Sequence, residues 1–135
     1  MLLAVDIGNT NITFGIFKKS KIIKKFYIPE NNFNVNLLKK NIKNLDLKMA
    51  IICSVVPALT ETIKNTLWKI LRKKPYLIGK DIYIPIKNLY RNPSQLGQDR
   101  LINAYAGIKL YGTPLIIVDF GTAITFDIVS KDKRY

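Results

Sequence analysis

An Asp-x-Gly-Asn-Thr run near the start of the chain contains residue types that bind phosphate. Asp6, Gly8, Asn9 and Thr10 follow a short apolar stretch, which predicts a tight turn at the end of a strand. A glycine turn can direct backbone amides at an anion, and Asn and Thr add further donors. Asp6 could hold a hydrated divalent cation opposite those amides. A plain hairpin uses the same residue types, so the run alone leaves both interpretations open.

A shortened second copy of this run occurs later in the chain. Residues 118–122 repeat residues 5–10 with one turn residue lost, and Ile124-Thr125-Phe126 then repeats Ile12-Thr13-Phe14. Duplication of one structural unit explains this match better than chance does. Two facing hairpins, each with an aspartate and hydroxyls, could clamp a polyphosphate between two related lobes. Because two strands cannot bury a face alone, we expect a longer protein of which this is the front half.

The stretch from Tyr90 to Arg100 contains a candidate base. By default Asp99 would cap the helix that it opens and Arg100 would be solvated. As a functional pair, Asp99 would accept a proton from a substrate hydroxyl and Arg100 would bind a substrate carboxylate. The chain has no histidine, so an enzyme that phosphorylates a hydroxyl would need a carboxylate base. Phosphoryl transfer requires alignment more than strong basicity, and an aspartate therefore suffices.

The three motifs, in this order, resemble those of type III pantothenate kinases, a family of the acetate and sugar kinase, Hsp70 and actin superfamily. They are Asp6-x-Gly-Asn-Thr, Tyr90-x-Asn-Pro-x-x-Leu-Gly-x-Asp-Arg100 and Asp119-x-Gly-Thr-Ala-x-Thr125. Three separate motifs at plausible spacing are more specific than any one of them. The resemblance extends over the whole chain. The chain itself covers only about the first half of the length that is typical of the family's proteins.

The resemblance implies ATP-dependent phosphorylation of pantothenate to 4'-phosphopantothenate, the first step of coenzyme A biosynthesis. Asp99 would be the proton acceptor, Asp6 would lie near Mg²⁺, and Asp119 would bind a monovalent cation, K⁺ or NH₄⁺. It also implies an ATP phosphate loop formed by Asp6, Ile7, Gly8, Asn9, Thr10, Asn11, Ile12 and Thr13, with a further ATP contact at Thr122. The pantothenate contacts that it implies are Tyr90, Gly97, Gln98, Asp99 and Arg100.

The resemblance also implies an actin-like, ribonuclease H-like α/β lobe with a mixed sheet. Residues 1–112 would form this first lobe, and residues 113–135 the opening hairpin of a similar second lobe. We expect a cytoplasmic homodimer in the full-length form, with no membrane or nucleic acid partner. Two alternatives stay open: a non-catalytic accessory or regulatory protein of the same fold, and another small-molecule kinase of the superfamily.

The elements that must position these motifs follow from periodicity. Three apolar, alternating runs up to Pro29 predict an antiparallel meander, and a helical stripe then covers positions 33–45. Met49–Val56 predicts a buried strand, and Pro57 begins a second helix. After a short extended piece and a polar loop, a third helix starts near Asp99 with Leu101, Ile102, Tyr105, Ile108 and Ala106 as its candidate inward residues. Two final strands complete the order βββαβα, short extended piece, α, ββ.

The amino-acid composition excludes several classes of functional site. The chain has 135 residues, 48% hydrophobic and 23% charged, which is typical of a globular domain with its own core. The absence of histidine excludes His-based triads and zinc sites, and the single cysteine, Cys53, excludes an internal disulfide framework. The net charge of +13 comes mostly from lysines spread over predicted turns, which favours a solvated basic surface over a polyanion site. The start MLLAVD has no basic region, so no signal peptide is expected.

Overall fold

The computed structural model describes residues 1–121 and 123–135 and has an α/β fold with the predicted order of elements. The strands are β1 (Leu2–Ile7), β2 (Asn11–Lys18), β3 (Lys21–Pro29), β4 (Met49–Ser54), β5 (Tyr76–Leu77), β6 (Leu115–Phe120) and β7 (Ile124–Val129), and the helices are α1 (Val35–Ile42), α2 (Pro57–Leu71) and α3 (Gln98–Tyr111). The chain divides into two compact units, Met1–Ile82 and Tyr83–Tyr135. The predicted lobe boundary at Gly112 stays a prediction.

The first unit contains a mixed five-stranded sheet with the order β3-β2-β1-β4-β5. The first three strands form the predicted antiparallel meander, and β4 pairs with β1 in parallel. β5 adds a short parallel edge next to β4. This arrangement places β1, which ends at Asp6-Ile7, in the middle of the sheet.

One face of this sheet packs on α1 and α2 to form the core. Alternate residues of β1 and β2 point to this face, as the period of two requires, and Phe14 stacks on Phe26 with ring centroids 4.7 Å apart. Burial of each large apolar side chain contributes about 1.5–3 kcal/mol. The residues at this face that are at most 5% exposed are Leu3, Val5, Ile7, Ile12, Phe14, Ile16, Ile28, Leu38, Ile42, Ala50, Ile52, Ile63 and Leu67.

Local signals set the ends of the helices. Asn34 caps α1, because its Oδ1 accepts a hydrogen bond of 2.7 Å from the backbone N–H of Asn36. Pro57 occupies the first turn of α2, where its missing N–H costs nothing. Arg72 caps the C-terminus of α2 in the left-handed region, and its N–H donates to the carbonyl of Trp68.

The second unit contains α3 and the antiparallel β6–β7 hairpin. Helix α3 packs on one face of the hairpin at Gly107, where an added Cβ would lie 3.0 Å from Leu115 Cδ1. The prediction that Ala106 faces inward is wrong, because the buried positions of α3 are Leu101, Ala104 and Gly107. These three buried residues are spaced by three positions along α3. The helix approaches the strands closely at Gly107, because this residue has no side chain.

The long segment before α3 is irregular, as predicted, apart from a 3₁₀ turn at Pro93–Gln95. Its start is attached to the chain after β7: the Leu89 N–H donates to the Tyr135 carbonyl at 2.7 Å, and the Tyr135 N–H donates to the Lys87 carbonyl at 2.9 Å. These bonds bring Tyr90 and Tyr135 to the same part of the unit. Within the described residues, no helix is long and apolar enough to cross a bilayer.

Candidate active site

The first predicted phosphate loop is the turn between β1 and β2. Asp6 pairs with Thr13 and Ile7 with Ile12, and the Gly8 N–H donates a 3.0 Å hydrogen bond to the Asn11 carbonyl. A Cβ on Gly8 would lie 3.3 Å from that carbonyl oxygen. Glycine is favoured here by this close approach, since Gly8 does not have the positive φ of Gly79 or Gly112.

Burial divides the residues of this loop into two groups. Ile7 and Ile12 are fully buried, so only their backbone groups could contact a ligand. Asp6, the turn residues Asn9 and Thr10, and Asn11 at the start of β2 are exposed, while Gly8 and Thr13 are half-buried. The exposed carboxylate can supply an oxygen ligand to a divalent cation, and the exposed amide and hydroxyl groups can donate hydrogen bonds to the phosphates that this cation binds.

The β6–β7 hairpin repeats this geometry in a tighter turn. Asp119 pairs with Thr125, as Asp6 pairs with Thr13, and Val118 pairs with Phe126, as Val5 pairs with Phe14. The Gly121 N–H donates to the Ala123 carbonyl at 3.2 Å, which closes a turn one residue shorter than the first. The repeat inferred from sequence therefore extends to the register of the strands. Asp119 is exposed, and the predicted ATP contact Thr122 lies outside the described residues.

The start of α3 positions four of the predicted substrate residues. Gly97 is the N-cap, so the default expectation that Asp99 caps the helix is wrong. Asp99 lies in the first turn, where the helix dipole favours a carboxylate, and its Oδ1 accepts from the Arg100 N–H at 2.9 Å. Gln98 begins the helix, and all four residues from Gly97 to Arg100 are half-buried.

Arg100 has an ion-pair partner that the sequence did not reveal. Its Nε donates to Asp127 Oδ1 at 2.7 Å, its Nη2 donates to the same oxygen, and Nη2 also reaches the Phe126 carbonyl at 3.4 Å. The Tyr135 hydroxyl donates to the same Asp127 oxygen. The Asp127 side chain is 1% exposed and that of Arg100 is 28% exposed. Arg100 is therefore not the simply solvated side chain of the default interpretation.

The protonation states in this cluster follow from its contacts. The hydrogen bond from Arg100 to Asp127 raises the pKa of the guanidinium above its ordinary value, so Arg100 keeps its charge. Burial, and then the hydrogen bond to Asp127, raise the pKa of the Tyr135 hydroxyl. Tyr135 therefore stays protonated and donates its hydrogen bond at physiological pH.

Tyr90 and Arg100, which the sequence predicts as substrate residues, line one cavity of about 390 Å³ in the second unit. Its polar groups come from these two residues and from Ser130, Arg134 and Tyr135, and its apolar walls are Leu89, Phe126 and Ile128. Two guanidinium groups beside an apolar wall suit a small organic acid with a hydrocarbon portion. Gly97, Gln98 and Asp99 are not among the residues that line this cavity.

Sequence reasoning missed Asp127, Arg134 and Tyr135. One signal pointed to Asp127: it is a carboxylate in the otherwise apolar strand Ile124–Val129, and a buried carboxylate requires a cationic partner. Arg134 and Tyr135 gave no such signal, because their place at the cavity depends on the pairing of residues 87–89 with 134–135.

Comparison with known proteins adds a family assignment to this geometry. The family model described as type III pantothenate kinase matches residues 2–135. Proteins named type III pantothenate kinase from Persephonella marina, Finegoldia magna and a Sulfurihydrogenibium species are 40%, 42% and 41% identical to the chain. Each alignment covers all of this chain but only 57%, 55% and 58% of the relative, respectively. The chain thus spans a little over half the length of these relatives.

Proposed function

We propose, since this chain belongs to the type III pantothenate kinase family, that the whole protein transfers the γ-phosphoryl group of ATP to the hydroxyl of pantothenate. The products are 4'-phosphopantothenate and ADP. The observation that carries the proposal is that Tyr90 and Arg100, predicted from one motif, line a single cavity whose cationic and apolar groups suit pantothenate, an acid with a hydrocarbon portion.

In this proposal Asp99 is the proton acceptor. The pantothenate hydroxyl oxygen attacks the γ-phosphorus, the bond from that phosphorus to the ADP oxygen breaks, and the hydroxyl proton passes to Asp99. Asp99 is half-buried in the first turn of α3 and adjacent in sequence to Arg100. Arg100 binds the pantothenate carboxylate, and Tyr90, Gly97 and Gln98 complete the substrate contacts.

The two hairpins bind ATP and its cations in this proposal. The turn from Asp6 to Thr13 supplies amides and hydroxyls to the phosphates, and Thr122 supplies a further ATP contact. Asp6 holds Mg²⁺, which neutralises phosphate charge when bound, and Asp119 holds K⁺ or NH₄⁺. The described residues contain no cluster of three or more metal-ligating side chains. Asp6 and Asp119 are both exposed, so each could contribute a carboxylate oxygen to a hydrated cation.

The wider assignments belong to the same proposal. Residues 1–112 form an actin-like lobe, residues 113–135 begin a related second lobe, and the full-length protein is a cytoplasmic homodimer. The equal register of the two hairpins supports the second lobe.

The decisive experiment is a coupled assay of ADP release from the full-length gene product in potassium buffer, with and without pantothenate. We expect turnover that depends on pantothenate. A panel of sugars and acetate tests the other kinases of the superfamily, and turnover of one of these in place of pantothenate would contradict the proposal. Absence of any turnover, in a folded protein, would support the accessory role instead.

A further inference from the structure

We propose that Asp127 is a positioning residue for the reaction, which holds the Arg100 guanidinium in the orientation that binds the substrate carboxylate. The inference rests on the proposed function, in which Arg100 makes that contact. It adds to that function a residue of β7 that does not itself line the cavity.

The contacts of Arg100 leave a defined part of its guanidinium for a ligand. Nε and Nη2 form one edge of the group, and both donate to Asp127, with Nη2 also directed at the Phe126 carbonyl. The side-chain hydrogen bonds of Arg100 within residues 1–121 and 123–135 use Nε and Nη2 and leave Nη1 for a ligand. Because the guanidinium is planar and rigid, fixing one edge also fixes the direction of the Nη1 donors.

The burial of Asp127 makes this orientation hard to lose. Its side chain is 1% exposed, so a rotation of Arg100 away from it would leave a buried carboxylate without its cation. Within the described part of the chain, its Oδ2 is buried and has no hydrogen-bond donor. The donors to this buried carboxylate all meet at Oδ1, where Arg100 and Tyr135 bind it.

The internal repeat provides independent support. In the second hairpin Asp127 pairs with Ile117, and the equivalent pair of the first hairpin is Gly15 with Ala4. The hairpin therefore forms without a carboxylate at this position. The two copies therefore differ at this position, and in the second copy the residue there, Asp127, binds Arg100 of α3.

Tyr135 contributes to the same arrangement. Its hydroxyl donates to the Asp127 oxygen that also accepts from Arg100, and its side chain lines the cavity. Three donors, two from Arg100 and one from Tyr135, thus converge on one oxygen of Asp127. They restrict the carboxylate as well as the guanidinium.

The test compares substrate binding with turnover in the full-length gene product. Calorimetry gives the Kd of pantothenate without ATP, and steady-state assays give kcat and the separate KM values for pantothenate and ATP. We expect Asp127→Asn to raise the Kd and KM of pantothenate about tenfold while the KM of ATP changes less than about twofold. The matched control is Asp46→Asn, which removes an exposed carboxylate paired with Lys48 at 2.9 Å.

A double mutant separates positioning from a general structural effect. In the Arg100→Ala background, Asp127→Asn should cause no further rise in the KM of pantothenate, because the residue that it positions is absent. Additive effects, or equal rises in both KM values, would overturn the proposal. So would an unchanged Kd in Asp127→Asn while Arg100→Ala weakens binding.

Two further variants cover a failure of Asp127→Asn to fold. Asp127→Glu keeps the charge but displaces the guanidinium, and Arg100→Lys keeps the cation but lacks the planar fork. Each should weaken pantothenate binding, and a wild-type Kd in either would refute the positioning role. Failure of the proposed function itself would give a different result: no pantothenate binding by the wild type, or an unchanged KM in Arg100→Ala.

Discussion

The β1–β2 and β6–β7 hairpins have the same pairing but opposite burial. Val5 pairs with Phe14 and Val118 with Phe126 at equivalent positions. Val5 and Phe14 are almost fully buried, whereas Phe126 is 65% exposed. The first hairpin lies between β3 and β4 and is covered by α1 and α2, while the second has α3 on one face.

The difference shows that strand pairing is a local property and burial is not. Six large apolar side chains cover one face of the second hairpin and are exposed: Ile116, Val118, Phe120, Ile124, Phe126 and Ile128. Contiguous apolar surface of this kind marks an interface or a face that further chain covers. The equivalent face of the first hairpin is part of the core, which supports the proposal that β6–β7 opens a second lobe.

The largest expected effect tests this difference directly. Phe14→Ala should lower the free energy of unfolding of the chain by about 3–5 kcal/mol, because it creates a cavity in a packed core. Phe126→Ala should change it by only about 0.5 kcal/mol, as exposed positions do. Urea denaturation of the two variants measures both values.

The same substitution in the full-length gene product tests whether a second lobe covers this face of β6–β7. If a second lobe covers β6–β7, Phe126→Ala should cost about 2 kcal/mol or more there, because the side chain becomes buried. A cost that stays near that of the isolated chain would contradict the proposal that this face belongs to the interior of a second lobe.

The next effect concerns which aspartate performs the chemistry. Asp99→Asn should lower kcat of the full-length gene product by about 10²-fold or more and leave the fold intact, because the general base is lost. Circular dichroism checks the fold, and Asp46→Asn is the control for removal of a carboxylate. Near-normal turnover in Asp99→Asn would show that Asp99 is not the base. The hairpin carboxylates Asp6 and Asp119 would then be the remaining candidates.

Arg100→Ala tests whether the cavity of the second unit binds the acid group of the substrate. We expect the KM of pantothenate to rise about 10-fold to 100-fold, with a smaller fall in kcat, since a charge-assisted contact is lost. Arg91→Ala, at an exposed arginine next to Tyr90, is the matched control. An unchanged KM in Arg100→Ala would refute the carboxylate contact.

The smallest effect separates the two equivalent aspartates. Asp119→Asn should raise the potassium concentration required for half-maximal activity by about tenfold, because the cation loses one charged ligand. Asp6→Asn should instead raise the requirement for Mg²⁺. Titrations of both cations against both variants distinguish the roles, and an identical response of the two variants would mean that the hairpins do not divide the cations between them.

Much of the fold could be predicted because its signals are local. Alternation of apolar residues gave the meander, Pro57 marked the start of α2, and the repeated Asp-x-Gly motif gave two hairpins with one register. The sequence predicts the inward face of α3 less well: it places Ala106 inward, whereas Gly107 makes the close contact. Helical periodicity could not settle this, because small residues on both sides of the helix leave its apolar face poorly defined.

For the candidate site, the residue types and order of the motifs determined the chemistry that the chain could support. They identified Asp99 and Arg100 as a candidate pair and excluded histidine chemistry outright, since residue types are set by sequence alone. Tertiary structure alone decided what Arg100 contacts. Its partner Asp127 lies 27 residues away along the chain, and the pairing of residues 87–89 with 134–135 brings Tyr135 to the same cavity. Contacts between distant segments depend on packing, which no local pattern encodes.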